Sequence, residues 1–228
     1  MEGRTGGRAV TDELQAIVER LRGVTTASVA DAVDRVVRRP AVMSHEIKPI
    51  APVRLVGPAA TVLERVALES APPHHALEVI DGSPPGTVVV IGVEDPQGAR
   101  GVALWGGLMA TAAVTRRLGG AVLDAGVRDV EEIRGLGFPV FARTVVPTST
   151  VGRFVTVARD IPVVCGGVLV HPGDLIVGDA DGVVVVPRAH AAEVAAAAVE
   201  IEEAERRMVE AIRRTGSILQ ALRAHARI

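Results

Sequence analysis

The sequence predicts an α/β protein in which helices pack on the outside of a mixed β-sheet, with a long helical segment at the C-terminus. Short runs of β-branched residues, such as 87–91 and 183–186, predict buried strands. They alternate with segments whose apolar residues recur at helical spacing. At residue 188 the composition changes to strong helix formers, so 188–226 is predicted to be helical, with an interruption at Thr215-Gly216.

The N-terminal part is predicted to contain two helices. Residues 1–10 are rich in Gly and Arg and are expected to be disordered. Thr11 can cap a helix that ends at Gly23, and a second helix is predicted to start at Thr25 or Thr26. The apolar face of the first helix is formed by residues at helical spacing: Leu14, Ile17, Val18 and Leu21.

The following segments predict most of the sheet. Residues 53–66 predict strand structure that Gly57-Pro58 interrupts, and the segment 74–86 predicts a helix and then a proline-glycine turn. Further short strands are predicted at 139–142, at 155–157 and within the runs CGGVLV and DLIVGDADGVVVVP. Turns separate the last runs, at His171–Asp174 and at Asp179–Gly182.

Composition limits the classes of function. The 228 residues suit one domain, expected to span 1–228, and the net charge of −2 and 2% aromatic content argue against direct nucleic-acid binding. The single cysteine, Cys165, excludes an internal disulfide and a Cys-rich zinc site. No apolar run approaches the roughly 20 residues of a spanning helix, and the N-terminus lacks an apolar signal core. We therefore expect a cytoplasmic protein that binds no membrane.

The stretch 104–137 carries the candidate site, because it predicts a turn, a helix, a buried strand at 121–123, a tight loop and a second helix. At its first turn, Gly106-Gly107 opens a helix whose free N–H groups, with those of Leu108 and Met109, can hold a carboxylate or phosphate. From the glycine pair alone, a tight turn after Trp105 is the favoured interpretation, because glycine pairs are common in turns.

The second turn holds Asp124, Arg128 and Asp129 at the predicted carboxyl end of the buried strand, where α/β folds commonly bind ligands. A carboxylate there can hold a hard divalent cation, and an arginine can bind a substrate carboxylate with two hydrogen bonds. A structural alternative exists for each group. Asp129 with Glu132 has the spacing of a capping box, and Asp124 with Arg128 can form an ion pair.

Other polar residues predict turns or surface positions more than a site. This holds for His74-His75, for His171 before Pro-Gly, and for Asp179-x-Asp181-Gly182, which lacks the remaining ligands of a calcium loop. Ser149-Thr150 has no base nearby in sequence.

The sequence resembles the RraA-like family, which contains regulators of ribonuclease activity and 4-hydroxy-4-methyl-2-oxoglutarate aldolases, some labelled demethylmenaquinone methyltransferases. The resemblance covers about residues 20–222. Its landmarks are SVADA at 28–32, GPAxT at 57–61, WGGLMATAA at 105–113, DAGVRDVEEI at 124–133, PGD at 172–174 and GDADGVVVVP at 178–187. The resemblance implies an α/β/α fold related to swivelling phosphohistidine domains, assembled as a homotrimer or a dimer of trimers.

The resemblance also implies roles for the two turns. Asp129 would hold Mg²⁺ or Mn²⁺, Arg128 would bind the carboxylate of a pyruvoyl group, and the amides of residues 106–109 would bind the same carboxylate. Together they would stabilise a pyruvate enolate. Aldolase members carry an acidic residue twenty-one positions before the arginine, where this chain has Gly107. Asp129 would then be the only protein ligand, unless an acid comes from a neighbouring subunit; the candidates are Glu202, Glu203 and Glu205.

Two functions follow as hypotheses. The first is a metal-dependent class II aldolase or lyase that cleaves a pyruvoyl-containing oxo-acid, with oxaloacetate decarboxylation as a side activity through the same enolate. The second is a protein without catalytic activity that binds ribonuclease E or another partner. Methyl transfer is disfavoured because no glycine-rich strand-to-helix turn suits S-adenosylmethionine.

Overall fold

The computed structural model describes residues 5–225, and it describes side chains for 13–224. Over this range it contains seven α-helices: α1 Thr5–Arg22, α2 Thr26–Val36, α3 His74–Gly82, α4 Gly107–Thr115, α5 Val130–Leu136, α6 Ala191–Thr215 and α7 Ile218–His225. The strands are β1 Lys48–Pro49, β2 Leu55–Val66, β3 Val88–Val93, β4 Ala103–Trp105, β5 Gly120–Val127, β6 Val140–Val145, β7 Phe154–Arg159, β8 Val163–Cys165, β9 Val168–Val170, β10 Leu175–Gly178 and β11 Val183–Val186.

Most strands form one mixed, nearly closed sheet in the order β1-β6-β5-β3-β2-β10-β11. The neighbours β2-β3, β3-β5 and β5-β6 are parallel, whereas β1, β10 and β11 pair antiparallel. Two further strands join this sheet, since β4 pairs parallel with β5 and β7 pairs antiparallel with β2. The hairpin β8-β9 forms a separate small sheet. The predicted α/β class and mixed sheet are confirmed.

Three apolar clusters hold these layers together. In the first, helices α3, α4 and α5 pack on β3, β5 and β6. In the second, α1, α2 and α6 pack on β10 and β11. The third lies on the opposite face of the sheet, where the hairpin β8-β9 covers residues of β2, β3 and β11. Successive residues of β2 alternate between the two faces, as strand geometry requires, so β2 links all three clusters.

The helical predictions at the N-terminus are confirmed in part. Ile17, Val18 and Leu21 are buried against α6 and the sheet, and Thr25 caps α2 by accepting a hydrogen bond of 3.2 Å from Ser28 N–H. The predicted start of the first helix at Thr11 is wrong, because α1 already begins at Thr5. The segment from Thr5 onward belongs to α1, and 1–4 lie outside the described residues. The expected disorder of 1–10 stays a prediction.

The predicted interruption of the second strand at Gly57-Pro58 is also wrong, because β2 runs unbroken from Leu55 to Val66. Gly57 is needed there for close packing, since a Cβ atom on it would collide with the carbonyl oxygen of Gly86. Pro58 precedes the first residue of β2 that pairs with β3, so the N–H that proline lacks is not required on that side.

Strand β5 is longer than predicted and includes Asp124 in its interior. Asp124 is 0% exposed, and its Oδ1 accepts a hydrogen bond of 2.5 Å from Nε of Arg143 on the neighbouring β6. Two predictions about Asp124 are therefore wrong: it does not lie at the strand's carboxyl end, and its ion pair is not with Arg128. Arg143 compensates a carboxylate that would otherwise have ended the strand.

The C-terminal segment confirms the predicted helix and its interruption. Helix α6 ends at Thr215, and Gly216 follows in the left-handed conformation with φ of 65°, where glycine avoids a steric cost. Residues 226–228 lie outside the described part. Among the residues that the structure describes, no helix combines the length and the apolar character needed to cross a membrane.

Candidate functional site

The two turns singled out in the sequence meet because their strands are parallel neighbours. Trp105 of β4 is in register with Val127 of β5, so the residues that follow each strand emerge side by side. The N–H of Arg128 donates to the carbonyl oxygen of Trp105 at 3.0 Å and fixes this register. Gly106 has no side chain, which leaves room for the side chains of Arg128 and Asp129 against its backbone.

Asp129 binds the opposite turn instead of capping its own helix. Its backbone is left-handed, with φ of 57°, and its side chain makes no capping hydrogen bond to α5. A capping residue normally adopts the β region, so this conformation directs the carboxylate elsewhere. Oδ2 accepts a hydrogen bond of 3.0 Å from Gly107 N–H and lies 3.5 Å from Nε of Arg128. The capping-box alternative for Asp129 and Glu132 is therefore wrong.

The first turn of α4 presents backbone donors beside this pair. The first N–H groups of a helix have no partner within the helix, and Gly106 supplies no side-chain cap. Gly107 N–H is already bound to Asp129, which leaves those of Leu108 and Met109 for a ligand. The side chain of Leu108 is 85% exposed, so this turn is open to solvent. The positive end of the helix dipole favours an anion here.

The carboxylate of Glu132 lies beside Gly107, the position at which aldolase members of the family carry an acidic residue. A Cβ atom on Gly107 would collide with the carboxylate of Glu132, which lies on the first turn of α5. The acidic group expected from position 107 is thus replaced in space by one from position 132. The sequence contained the signal, since Glu132 follows Asp129 by three residues, but that spacing was interpreted as a capping box.

The two turns line a small cavity of about 190 Å³, and Glu132 lies behind Gly107 and outside its lining. Sites for drug-sized ligands occupy about 300–1,000 Å³, so the volume suits a smaller molecule. The cavity contains all six predicted site residues: Gly106, Gly107, Leu108, Met109, Arg128 and Asp129. Its other walls come from α3 and its approach, at Pro73 and Leu77, and from the loop Ser149–Val151.

The donor set fits a hard cation that retains water. The carboxylates of Asp129 and Glu132 both lie against Gly107, and the Asp129 side chain is 44% exposed. Within the described residues, no group of three or more His, Cys, Asp or Glu side chains could hold a metal ion. A closed structural zinc site is therefore not formed there. Mg²⁺ commonly binds through one or two carboxylates and keeps several waters, which two such groups allow.

The cavity wall also hides a buried acid that the sequence did not suggest. Thr150 donates a hydrogen bond of 3.3 Å from Oγ1 to Oε2 of Glu64, which lies on β2 and is 0% exposed. Burial raises the pKa of Glu64 to about 7, although the Thr150 hydrogen bond acts to lower it. Thr150 has no base nearby in sequence, but its hydroxyl contacts the carboxyl group of Glu64, which is 86 positions away. The only sequence signal was a charge within an apolar strand.

The three acids of α6 that could come from a neighbouring subunit do not line this cavity within the chain. Oε2 of Glu202 instead accepts hydrogen bonds from Ser28 Oγ at 2.8 Å and from the backbone and side chain of Thr25. Burial raises the pKa of Glu202, but these hydrogen bonds and Arg206 together lower it below its ordinary value. Glu203 and Glu205 are exposed. A role across a subunit interface stays a prediction for all three.

The remaining polar candidates lie in turns or at the surface, as predicted. His171 and Asp174 form a turn in which Asp174 accepts a hydrogen bond of 2.9 Å from His171 N–H. Asp179 likewise accepts one of 3.0 Å from Asp181 N–H. His74 is exposed, and His75 pairs with Glu78 on its own helix.

Comparison with known proteins agrees with this architecture. Residues 26–185 match the RraA-like family, described as Aldolase/RraA. The match covers more than half of the sequence, so the chain belongs to the RraA-like family, and the resemblance inferred from the sequence is confirmed. The chain is similar to RraAS2 of Streptomyces coelicolor, described as an unusual member of the RNase ES inhibitor RraA protein family. The two superpose with a TM-score of 0.76 and 27% identity, over 84% of this chain and 95% of the other.

Two relatives extend the comparison. Protein DlpA of Legionella pneumophila is 32% identical over 216 residues, which cover 93% of this chain and 34% of that protein. The chain therefore spans about a third of the length of DlpA. A protein of Halalkalibacterium halodurans, named "Putative 4-hydroxy-4-methyl-2-oxoglutarate aldolase", is 34% identical over 173 residues, covering 75% of this chain and 76% of that protein.

Proposed function

We propose that this protein is a divalent-metal-dependent aldolase or lyase that cleaves a pyruvoyl-containing oxo-acid similar to 4-hydroxy-4-methyl-2-oxoglutarate. The observation that carries the proposal is a small cavity lined by Asp129, Arg128 and the first turn of α4, with the carboxylate of Glu132 against Gly107 of its wall. Asp129 and Glu132 both lie against Gly107, with Arg128 beside them. The relatives named as aldolases support the same reaction class.

Arg128 and the first turn of α4 would bind the substrate carboxylate. The guanidinium of Arg128 is 42% exposed and lines the cavity, so it can donate two parallel hydrogen bonds to a carboxylate. The N–H groups of Leu108 and Met109 can complete the binding from the other side. This clamp would orient the pyruvoyl group, with its keto oxygen directed towards Asp129.

Asp129 and Glu132 would hold the cation, Mg²⁺ or Mn²⁺, largely through its waters. When bound, such a cation stabilises the negative charge that develops on the keto oxygen as the carbon–carbon bond breaks. Glu132, whose carboxylate lies against Gly107, would accept or return a proton through a bound water. Oxaloacetate decarboxylation would be a side activity, because loss of CO₂ leaves the same pyruvate enolate.

A second candidate is regulation of ribonuclease E or a related partner. It is favoured by the similarity to RraAS2, whose description places it among RNase ES inhibitors. This candidate needs a contact surface and no chemistry, so it does not require the conjunction of Arg128, Asp129 and Glu132. The two functions can therefore be separated by substitutions in the cavity.

The test is pyruvate release from 4-hydroxy-4-methyl-2-oxoglutarate and from oxaloacetate, with Mg²⁺, with Mn²⁺ and after chelation. The wild type is expected to release pyruvate only with metal. Asp129→Ala should lose at least 100-fold in kcat/KM, because it removes both a metal ligand and the partner of Gly107 N–H. Asp160→Ala, an exposed carboxylate outside the cavity, is the matched control and should retain activity.

Equal inactivity of wild type and Asp129→Ala with every metal would overturn the aldolase proposal. The ribonuclease candidate is tested on the same proteins, by measuring RNA cleavage by purified ribonuclease E. Inhibition that is unchanged in Asp129→Ala, together with absent pyruvate release, would favour the regulatory function.

A further inference from the structure

Glu64 is a buried ionisable group next to the cavity that the proposed reaction does not use. It is 0% exposed, and its Oε1 has no hydrogen-bond partner among the described residues. An ionised carboxylate with an unsatisfied oxygen is costly in such surroundings, whereas the protonated form is not. An apolar side chain at this buried position of β2 would give a higher free energy of unfolding than the carboxyl group of Glu64.

The hydroxyl of Thr150 connects Glu64 to the cavity. A hydroxyl has one hydrogen and two lone pairs, so it can donate only one hydrogen bond at a time. When Glu64 is ionised, Thr150 donates to its Oε2 and offers the cavity only lone pairs. When Glu64 is protonated, the carboxyl donates to Thr150, and the Thr150 hydrogen is released. Its other protein acceptor is the carbonyl oxygen of Phe154, at a weak 3.5 Å.

The proposed substrate can use only one of these two states. Carboxylate and keto oxygens accept hydrogen bonds and donate none, so they need Thr150 as a donor. We propose that Glu64 is a positioning residue of this site, whose protonation turns the Thr150 hydroxyl into a donor to an oxygen of the bound oxo-acid. This inference rests on the proposed function, since it takes the ligand to be an anion bound at Arg128.

The charged residues described around Glu64 do not hydrogen-bond to its carboxyl group. Val93 and Thr156 lie opposite it on the neighbouring strands β3 and β7. None of the charged residues described on the surrounding elements hydrogen-bonds to the Glu64 carboxyl. All of these residues are exposed or half-buried. They are Arg65 on β2, Glu94 after β3, Arg153 and Arg159 near or on β7, His75 and Glu78 on α3, and Arg128 and Asp129 at the cavity. Burial and the Thr150 hydroxyl are the causes of its shifted pKa.

The experiment measures binding of oxalate, which resembles the pyruvate enolate and stays fully ionised above pH 6, by calorimetry with Mg²⁺ between pH 6 and 8.5. The wild type should bind about tenfold more weakly at pH 8.5 than at pH 6, the loss of one hydrogen bond to a charged group. Glu64→Gln should keep the pH 6 affinity throughout, because its amide donates to Thr150 at every pH. Thr150→Val should bind about tenfold more weakly at every pH.

Glu94→Gln is the matched control, because this exposed carboxylate follows the adjacent strand, and it should keep the wild-type pH dependence. In pyruvate release, the same pH change should raise KM and leave kcat nearly unchanged. Suppose that oxalate binding requires Arg128 but has the same pH dependence in wild type and in Glu64→Gln. That result would overturn the role of Glu64 and leave the proposed function standing. Absence of oxalate binding at any pH would overturn the proposed function, and this inference with it.

Discussion

Glu132 is the residue that most changes the interpretation of the candidate site. It lies in the space next to Gly107, although the two positions are 25 residues apart in the chain. An acid in that location can therefore come from either position. The identity of residue 107 alone does not decide whether a second carboxylate lies beside this turn.

Since an acid at this location can come from position 107 or 132, we predict that an acid introduced at 107 restores activity lost by removing Glu132. Glu132→Ala should lower kcat/KM for metal-dependent pyruvate release by about 10–100-fold, the usual effect of removing a group that orients a metal's waters. Gly107→Asp in that background should recover much of the loss, because the collision with Glu132 is gone. Glu131→Ala, an exposed carboxylate on the same turn, is the control. No loss in Glu132→Ala would exclude Glu132 from the site.

Substitution of Asp124 is predicted to lower the free energy of unfolding, because this buried carboxylate pairs with Arg143 and does not line the cavity. Asp124→Ala leaves Arg143 buried, with a side chain only 8% exposed, and retains just its pairing with Glu46. Breaking a buried ion pair costs about 3–5 kcal/mol, so the free energy of unfolding in urea should fall by about that amount. Glu19→Ala, which breaks an exposed pair with Arg22 on α1, should cost at most about 1 kcal/mol. Equal losses would contradict the structural role.

Glu64 predicts that stability decreases as pH rises. Its pKa of about 7 in the folded chain exceeds the ordinary 4.5, so the folded chain retains a proton that the unfolded chain releases. The free energy of unfolding should therefore fall between about pH 4.5 and 7, by roughly 3 kcal/mol in total, and stay low above that range. Urea unfolding should show Glu64→Gln more stable than wild type at pH 8 and similar at pH 5. The same difference at both pH values would contradict the buried acid.

At the scale of elements, one carboxylate of α6 adds hydrogen bonds to the apolar contact between α2 and α6. Glu202 of α6 accepts hydrogen bonds from Thr25 and Ser28 at the start of α2, and it is partly exposed to solvent. These bonds hold the first turn of α2 against the last long helix. The same engagement makes Glu202 less available to a neighbouring subunit than the exposed Glu203 and Glu205.

The corresponding prediction compares adjacent positions. Glu202→Ala should lower the free energy of unfolding at neutral pH by about 1 kcal/mol, because three hydrogen bonds are lost but water can replace part of them. Since the folded pKa of Glu202 is lowered, its stabilisation should be present above about pH 4.5 and disappear as pH falls further. Glu203→Ala is the control. A larger effect on pyruvate release than on stability would instead indicate a catalytic acid.

At the scale of the molecule, the second half of α6 contacts α7 but leaves apolar side chains exposed. The first half buries Ala191, Val194 and Ala198 against the second cluster, whereas beyond residue 201 of α6 only Ala211 is buried. Apolar side chains remain exposed on this part and on α7: Val209, Ile218 and Leu219. A surface of this kind suits contact between subunits.

We therefore predict a homo-oligomer of three or six chains. Sedimentation velocity should give a mass of about three or six times the 23.7 kDa of one chain. Val209→Glu with Leu219→Glu should reduce this mass, because a buried charge without a partner opposes association. Arg207→Glu, at an exposed polar position of the same helix, is the control. A single species with the mass of one chain would contradict the prediction.

The sequence by itself determined the elements and the two turns of the site. Periodic apolar residues predict the buried face of α1, and Gly216 marks the end of α6, because these features depend on neighbours within a few positions. Gly106-Gly107 and Arg128-Asp129 were recognisable for the same reason. Their residue types and their places after short strands are local properties.

Only the tertiary structure decided which side chains meet. Strand register brings Glu132 against Gly107 and buries Asp124 beside Arg143, and neither contact follows from spacing along the chain. The pairing of Glu64 with Thr150 spans 86 positions, and its acidity depends on burial, which a linear pattern does not specify. Local preferences therefore determine where the polar groups lie along the chain, whereas long-range packing sets their partners and their protonation.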